Sequence, residues 1–492
     1  MQVPNDQNEA PILEAMAKFL EKESTAFGVP GHQSGKGAAD DVKQLIGEAA
    51  FKADCTPLKG LDDRRERQRV RQRAERLAAQ AWGADHCFFS SNGSSLSNHA
   101  ALLCVAAPGD KVLVQRSSHK SVLAALLVTG VEPVWLEPEF DEEWGISHGV
   151  PVGEVERQLA AHPDARAVLI TSPTYYGVVP DLERLAALCH QHGKPLIVDE
   201  AWGPHFPFHP EMPRHALHAG ADMTLGSIHK TMAGLTQASI LLLKSELIPA
   251  DVFNLAFDAF ETTSVNSLIL ASMDAARRDY ATRGEELVGR TLALARQTRE
   301  AISAIDGLKV MGREVLSGDA RSEMDETKVL IDVGALGVTG YACDEWLTNT
   351  KNLVVELSDE RRIELCFTVG HDQQSVDTLV KSLQALPAFA AGPLEDCQRW
   401  PRPLPTHAEL RSEALMTPSQ AFHAPSTRVP LDEAAGRIAA EMLSPYPPGI
   451  PRVFPGERIT PAQVEFMRVS YELGAFALDA SDLELKTVRV VA

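Results

Sequence analysis

A lysine and an aspartate each follow a strand that the sequence predicts. Lys230, in the tetrapeptide Ser227-Ile228-His229-Lys230, comes after one short apolar run, and Asp199 ends another run 31 residues earlier. Ligands of open α/β sheets bind outside the carboxyl ends of the strands, so both side chains are expected at one site. An amine for a Schiff base and an anion that keeps a pyridine nitrogen protonated are what pyridoxal phosphate (PLP) requires. Taken alone, however, such residues are more often a solvated surface lysine and a helix-capping aspartate.

Two further polar motifs follow strands in the same part of the chain. The turn Ser90–Ser95 connects strand Cys87–Phe89 to an apolar helix at Leu96–Ala106. Hydroxyls and free N–H groups at a helix N-terminus bind phosphate, although an ordinary N-cap has the same composition. The second motif, Ser118-His119-Lys120-Ser121, follows strand Lys111–Val114 and would place an imidazole over the same site, whereas a lone histidine is more often a surface or core residue.

The elements that must position these residues alternate between short apolar strands and helical patterns from about Ala84 to Leu243. This pattern predicts an α/β fold of βαβ units around a largely parallel sheet. The predicted strands are Cys87–Phe89, Lys111–Val114, Glu132–Leu136, Ala167–Thr171, Pro195–Val198, Met223–Leu225 and Ser239–Leu243. Long amphipathic helices such as Ser267–Arg278 follow, and then a second α+β pattern, with strands near Lys328–Val333, Leu353–Leu357 and Ile363–Phe367 and a helix at Ser375–Leu386.

A chain of 492 residues is expected to form more than one domain. We predict an N-terminal arm with helices at 1–75, a PLP-binding large domain at 76–315 and a small α+β domain at 316–390. A proline-rich linker and a C-terminal domain follow at 391–492.

Composition excludes several functional classes. Lys and Arg number 47 against 67 Asp and Glu, a formal charge of −20 that disfavours nucleic acid and anionic lipid as partners. No apolar run approaches the roughly 20 residues that span a bilayer, and the first ten residues lack the apolar region of a signal peptide, so we expect a cytoplasmic protein. The seven cysteines form no C-x-x-C pair, and neither a disulfide framework nor a metal site is predicted.

The order of these motifs is that of a fold type I PLP enzyme, and the chain resembles the bacterial short-form arginine/lysine/ornithine decarboxylases almost from end to end. The residues that carry the resemblance are Pro30-Gly31-His32, Gly83-Ala84-Asp85-His86, His119-Lys120-Ser121, Pro173-Thr174-Tyr175, Asp199-Glu200-Ala201, Ser227 to Lys230, Tyr446 to Pro451 and Pro455-Gly456-Glu457. The resemblance implies an aspartate aminotransferase-like large domain with a mainly parallel sheet, a small α+β domain and a C-terminal domain.

The resemblance also implies residue roles. Lys230 would carry PLP, Asp199 would pair with the pyridine nitrogen and His119 would stack on the ring. The residues that would hold the phosphate or position the lysine are Ser94, Ser95, Ser227 and His229.

Three further residues are substrate candidates in the same resemblance. Trp202 would wall the substrate pocket, or else pack as a core indole. Glu356 would meet a cation on the substrate, or else be a plain strand-edge charge. His32 is a candidate substrate contact in the Pro-Gly-His motif.

One segment departs from the family pattern. Members usually continue Leu-Asp-Asp with Leu-His and a turn, whereas here Leu61-Asp62-Asp63 is followed by six arginines between Arg64 and Arg73. The run is either a solvated helix face or a set of guanidinium groups that bind an anionic substrate. Gln33 also stands where lysine is common.

We therefore predict PLP-dependent decarboxylation of arginine, lysine or ornithine to the corresponding amine, an activity of polyamine biosynthesis. One alternative keeps PLP but changes the reaction to Cα deprotonation, side-chain replacement or oxidation, with an anionic substrate bound by the arginine run. Another is a noncatalytic regulatory or assembly subunit. A homodimer or higher homo-oligomer is expected, because fold type I sites are generally completed across a subunit interface.

Overall fold

The computed structural model describes residues 6–22, 25, 27–56, 62, 69–446 and 449–492. Arg64, Arg65 and Arg67 of the arginine run lie outside these described residues. The α-helices of the described chain are α1 (Pro11–Leu20), α2 (Asp40–Ile46), α3 (Glu48–Ala53), α4 (Val70–Trp82), α5 (Gly93–Val105), α6 (Lys120–Thr129), α7 (Val152–Ala161), α8 (Leu182–Gln191), α9 (Ile228–Thr231), α10 (Ala250–Phe260), α11 (Ser267–Ser303), α12 (Gly340–Lys351), α13 (Gln373–Gln384), α14 (Leu386–Ala390), α15 (Pro418–His423) and α16 (Pro461–Glu472).

The strands follow the same chain order. They are β1 (His86–Ser90), β2 (Lys111–Gln115), β3 (Glu132–Leu136), β4 (Phe140–Asp141), β5 (Ile146–Ser147), β6 (Val168–Thr171), β7 (Val178–Val179), β8 (Leu196–Asp199), β9 (Met223–Ser227), β10 (Ser239–Leu243), β11 (Lys309–Val310), β12 (Glu323–Met324), β13 (Lys328–Asp332), β14 (Leu357–Ser358), β15 (Arg362–Cys366), β16 (Ser426–Pro430) and β17 (Thr487–Val491).

The chain divides into two compact units, each built from two stretches of sequence. The first comprises Met1–Cys104 and Pro195–Gly289, and the second comprises Val105–Lys194 and Arg290–Ala492. The four domains predicted from the sequence have other boundaries and stay a prediction.

In the first unit, four strands lie in the order β1, β10, β9, β8. The pairs β1/β10 and β10/β9 are antiparallel, and β9/β8 is parallel. Phe88 of β1 stacks on Phe257 of α10 with ring centroids 4.4 Å apart. Helix α4 buries its apolar face, which includes Leu77, Ala78 and the fully buried Trp82. The helix is capped at its C-terminus by Gly83, which has a left-handed φ of 71°.

In the second unit, β6, β2 and β3 form parallel pairs in that order. A separate sheet has the order β11, β13, β15, β14, and its β11/β13, β13/β15 and β14/β15 pairs are antiparallel. A core cluster contains Val329 of β13, Ile363 of β15, Leu347 of α12 and Leu383 of α13. The antiparallel pair β16/β17 and helix α16 contribute to another cluster, which includes Phe466 and Val488. In the part of the chain that the structure describes, every helix is too short or too polar to cross a lipid bilayer.

The structure confirms the predicted strands of the α/β pattern to within two residues at either end. One strand prediction was wrong over most of its length. Of the predicted strand Leu353–Leu357, only Leu357 is a strand residue, paired together with Ser358 to β15. The preceding helix α12 is capped by Asn352, whose backbone is in the left-handed region, and the Leu353 amide donates to the carbonyl of Leu347. Pairing with β15 therefore begins later.

Candidate functional site

Asp199 and Lys230 lie at the carboxyl ends of two adjacent parallel strands. Asp199 is the last residue of β8 and is buried, while Lys230 lies in the single helical turn α9 that directly follows β9. The two strands pair in parallel, with Asp199 opposite Leu225. This is the strand-end arrangement that the sequence predicted for the two residues.

Asp199 is held by hydrogen bonds to its carboxylate. The Asn98 side chain donates its Nδ2–H to Asp199 Oδ2 at 2.9 Å, and the backbone amide of Ala201 donates to Oδ1 at 3.2 Å. Both donors reach the carboxylate oxygens, so Asn98 and Ala201 fix the orientation of Asp199.

The neighbouring Glu200 is buried on other partners. It contacts His215 Nε2 at 2.9 Å and accepts hydrogen bonds from Thr224 Oγ1 at 3.1 Å and from the Ala216 amide at 3.0 Å. Of the two adjacent acids in the Asp-Glu-Ala motif, Glu200 is thus used within the protein core.

Three hydroxyl groups meet at the N-terminus of helix α5. Ser94 Oγ lies 2.6 Å from Ser227 Oγ and 3.1 Å from Ser239 Oγ. Gly93 begins the helix with φ +69°, a conformation that favours glycine, and its amide donates to the Gln237 carbonyl at 2.9 Å. Hydroxyls and a helix N-terminus together form a cradle for a phosphate group. Ser95, the other predicted serine, is exposed.

His229 is anchored by the backbone of the adjoining strand region. Its Nδ1 donates to the Ala238 carbonyl at 2.9 Å. Desolvation, together with the charge of Lys230, lowers the pKa of His229, although the bond to Ala238 opposes this shift. The lowered pKa favours the neutral ring, which presents Nε2 as an acceptor.

Trp202 is buried, and its ring faces the candidate lysine. Lys230 Nζ lies 4.2 Å from the centroid of the Trp202 ring, within the range of a cation–π interaction. The indole therefore lies beside the amine of Lys230, and it is buried like a core residue.

His119 belongs to the second unit. It is the N-cap of helix α6, and its Nδ1 accepts from the Ser121 amide at 3.2 Å and lies 2.8 Å from Ser121 Oγ. These contacts hold the half-buried ring in one orientation at the end of the β2–α6 turn.

Glu356, also in the second unit, is exposed and precedes strand β14. Its amide donates to the Glu364 carbonyl at 2.8 Å. Its side chain helps to line a cavity of about 600 Å³ with an apolar wall that includes Leu353, Val355 and Phe367. The arrangement leaves the carboxylate accessible to a small cation.

His32 is engaged inside the N-terminal arm. Its Nε2 lies 3.1 Å from Asp54 Oδ2, its Nδ1 accepts from the Gly35 amide at 3.2 Å, and its ring packs edge-on against Phe51. These contacts hold the His32 ring within the arm, and its role as a substrate contact stays a prediction.

Two of the three described arginines of the run, Arg71 and Arg73, form ion pairs within the first unit, and Arg69 is exposed. Arg71 contacts Glu75 and Glu261, each at 2.8 Å, and donates to the Phe89 carbonyl at 2.6 Å. Arg73 pairs with Glu9. These two guanidinium groups are therefore bound to acidic side chains of the protein itself. This observation supports neither of the two predicted roles for them, a solvated helix face or an anion-binding site.

The sequence analysis missed Asn98 and Ser239. Asn98 lies four residues after Ser94 in α5, so helical periodicity could have placed both side chains on one face. Ser239 opens strand β10 opposite Ser227, and only the antiparallel register of β10 and β9 reveals that pairing.

The donor set fits PLP. A buried carboxyl group held by two hydrogen-bond donors suits a pyridinium nitrogen, an adjacent lysine suits the aldehyde, and the hydroxyl cradle at α5 suits the phosphate. Each of these requirements is met by a different residue of the first unit.

Comparison with known proteins agrees with this chemistry. The model of the Orn/Lys/Arg decarboxylase major domain matches residues 10–375, and that of the C-terminal domain matches residues 406–475. An arginine decarboxylase of Bacillus subtilis is 38% identical over 99% of this chain and 98% of its own length. The constitutive lysine decarboxylase of Escherichia coli is 25% identical over 92% of this chain and 75% of its own.

A solved structure shares the fold. Lysine decarboxylase A from Pseudomonas aeruginosa superposes with a TM-score of 0.80 at 24% identity, over 98% of this chain and 80% of that one. The likeness supports the fold type I assignment.

Proposed function

The chain belongs to the Orn/Lys/Arg decarboxylase family of PLP-dependent enzymes, and we propose that it decarboxylates arginine to the corresponding amine. The observation that carries the choice of substrate is the 38% identity to an arginine decarboxylase over nearly the whole of both chains. The lysine decarboxylase relative is 25% identical.

In this proposal the residues of the first unit bind and tune PLP. Bound PLP supplies an electron sink for the pair released when the bond between Cα and the carboxylate breaks. Asp199, held by Asn98, keeps a proton on the pyridine nitrogen, and Lys230 is the amine that carries the cofactor between turnovers. Ser94, Ser227 and the N-terminus of α5 hold the phosphate.

The remaining predicted residues act on ring and substrate. His119, its ring fixed by the α6 cap, stacks on the cofactor, and Trp202 walls the site next to Lys230. Glu356 accepts the guanidinium of arginine; its exposure at a large cavity supports this role.

The substrate test measures CO2 release by the PLP-loaded enzyme with arginine, lysine, ornithine and, as an anionic control, glutamate. We expect the highest kcat/KM with arginine. Glu356→Gln should raise the KM for arginine by about tenfold, because one charge-assisted contact is lost. Faster reaction with lysine or ornithine would reassign the substrate, and no CO2 from any basic amino acid would contradict the proposal.

We further propose that the active form is a homodimer or a higher homo-oligomer. The N-terminal region exposes Phe27 (99%), Val29 (74%), Leu45 (84%) and Ile46 (53%), apolar area that a second copy would cover. Light scattering at assay concentration should give at least twice the mass of one chain. A fully active monomer would disprove this assembly.

A further inference from the structure

The second unit contains a small cavity lined by cationic side chains. It has a volume of about 40 Å³, a few times the roughly 10–15 Å³ that one water molecule needs. The polar lining residues are Arg116, Ser117, Glu137, Ser147, His407, Arg411 and Arg452. The sequence analysis assigned no role to any of them, and the proposed decarboxylase chemistry uses none.

The positive charge of this cavity exceeds its negative charge. Arg116 is matched by Glu457 through two contacts of 2.6 and 3.1 Å, and its guanidinium stacks 4.7 Å from the Phe454 ring. Arg411 and Arg452 form no ion pair with the described residues. Glu137 is the acid among the lining residues, so the lining has three guanidinium groups and one carboxyl group. The charge of Glu360, which lies outside the lining, also acts on Arg452.

Two polar groups at the cavity lack partners in the described chain. Both ring nitrogens of His407 and the Nε of Arg452 are buried without a hydrogen bond. The His407 ring stacks on Phe140 at 4.3 Å, and the Arg452 guanidinium lies 4.9 Å from the Phe466 ring. Buried donors of this kind carry a free-energy cost unless a ligand or water accepts from them.

The lowered pKa of His407 is further evidence that the cavity suits an anion. Burial, followed by the charges of Arg452, Arg411 and Arg116, lowers the pKa of His407 to about 4. Three guanidinium groups thus act on one imidazole. An anion among them would offset that repulsion and allow the ring to take up a proton.

We propose that this cavity is a binding site for a compact oxyanion of the phosphate class, held by Arg452, Arg411 and His407. Arginines bind phosphate through paired N–H groups, and Ser117 and Ser147 are further polar residues of the lining. The volume fits one phosphate group, either as the free ion or as the end of a phosphate ester. Arg116 and Ser117 lie in the turn that leads to His119, so an occupied site would brace that turn. The inference rests on the second unit alone and not on the identity of the substrate.

The test is isothermal titration calorimetry of the PLP-loaded enzyme, in which the cofactor already fills its own phosphate site. Inorganic phosphate and adenosine monophosphate are titrated separately at constant ionic strength. We expect one site per chain and proton uptake on binding, visible as a dependence of the heat on the ionisation enthalpy of the buffer. Binding of phosphate identifies the free ion as the ligand, and binding of adenosine monophosphate alone identifies an ester.

Variants show whether binding occurs at this cavity. Arg452→Met, which keeps a long side chain on Phe466, should weaken binding by about tenfold or more, and Arg411→Gln should weaken it several-fold. Arg157→Gln, an exposed arginine that pairs with Glu154 on α7, is the control and should bind as the wild type does. If Arg452→Met fails to fold, as judged by circular dichroism, the binding measured with Arg411→Gln decides, because Arg411 is an exposed residue. The proposal is overturned if neither ligand binds, or if Arg411→Gln and any folded Arg452→Met bind like the wild type.

Discussion

Lys230 and Lys328 are both associated with a strand and an acidic residue, yet their surroundings are opposite. Lys328 lies within β13, is completely buried, and places Nζ 2.6 Å from Oε1 of the equally buried Glu364 on β15. Lys230 follows β9 in a short helical turn, is half-buried, and has Nζ over the ring of Trp202.

The difference separates a structural lysine from the lysine that we propose to carry PLP. Desolvation alone would lower the pKa of Lys328, but the Glu364 carboxylate outweighs it and the pKa is raised, so Lys328 stays an ammonium ion. An enclosed ammonium ion has no lone pair to offer and cannot be reached by a ligand. A lysine at the end of a strand can be reached from the crevice where ligands bind.

The largest expected effect is that of Lys230→Ala. Turnover should fall to background and the enzyme should lose the lysine-bound PLP that borohydride reduces, because the amine at the strand end is gone. CO2 release and mass spectrometry of the reduced protein measure this. A reducible PLP adduct on another lysine of the variant would contradict the contrast drawn between Lys230 and Lys328.

Asp199→Asn should reduce kcat by roughly two orders of magnitude while some PLP remains bound, since a neutral amide no longer keeps the ring nitrogen protonated. Asn98→Ala removes one donor to the carboxylate and should cost about tenfold. Steady-state kinetics with arginine decide both. Near-normal turnover of the Asp199 variant would show that the acid does not tune the cofactor.

Lys328→Met tests whether the role of Lys328 is to stabilise the fold through its ion pair with Glu364. It leaves Glu364 buried without its partner and should cost about 3 to 5 kcal/mol of stability, whereas Lys328→Met combined with Glu364→Leu should recover most of that loss. The urea midpoint reports stability, and the kcat of the folded fraction should stay close to that of the wild type. If the single variant keeps its midpoint but loses its activity, Lys328 belongs to the active site after all.

The smallest effect concerns another enclosed ionisable group of the second unit, His148. Burial, followed by the charge of Arg321, lowers its pKa to about 4, against the opposing charge of Asp141. The folded state then binds fewer protons than the unfolded state, so this stability is complete above pH 6.5 and is lost as the pH falls towards 4. The change is about 3 kcal/mol at most. Replacing His148 with Gln should flatten the fall of the urea midpoint between pH 6.5 and 4. An equally steep fall in the variant would assign the pH dependence to other groups.

The sequence was sufficient for the strands of the α/β pattern and for the positions of Asp199 and Lys230. Short Val-, Ile- and Leu-rich runs bounded by turn residues are local signals, and parallel strands place their carboxyl ends together, so two strand-end residues are predicted to be neighbours without any knowledge of the packing. The strand prediction at Leu353–Leu357 was wrong because an apolar run forms a strand only where a neighbouring strand is in position to pair with it.

Tertiary structure alone decided which side chains meet around those strands. Asn98 reaches Asp199 across 101 residues, Arg71 reaches Glu261 across 190, and the Arg452 carbonyl accepts from Arg116 across 336. Such contacts depend on the crossing of packed elements and on strand register, which local periodicity does not encode. The position of Lys230 just after a strand was therefore predicted from the sequence, whereas the enclosure of Lys328 by Glu364 and the cationic cavity at Arg452 emerge only when distant segments pack and exclude water.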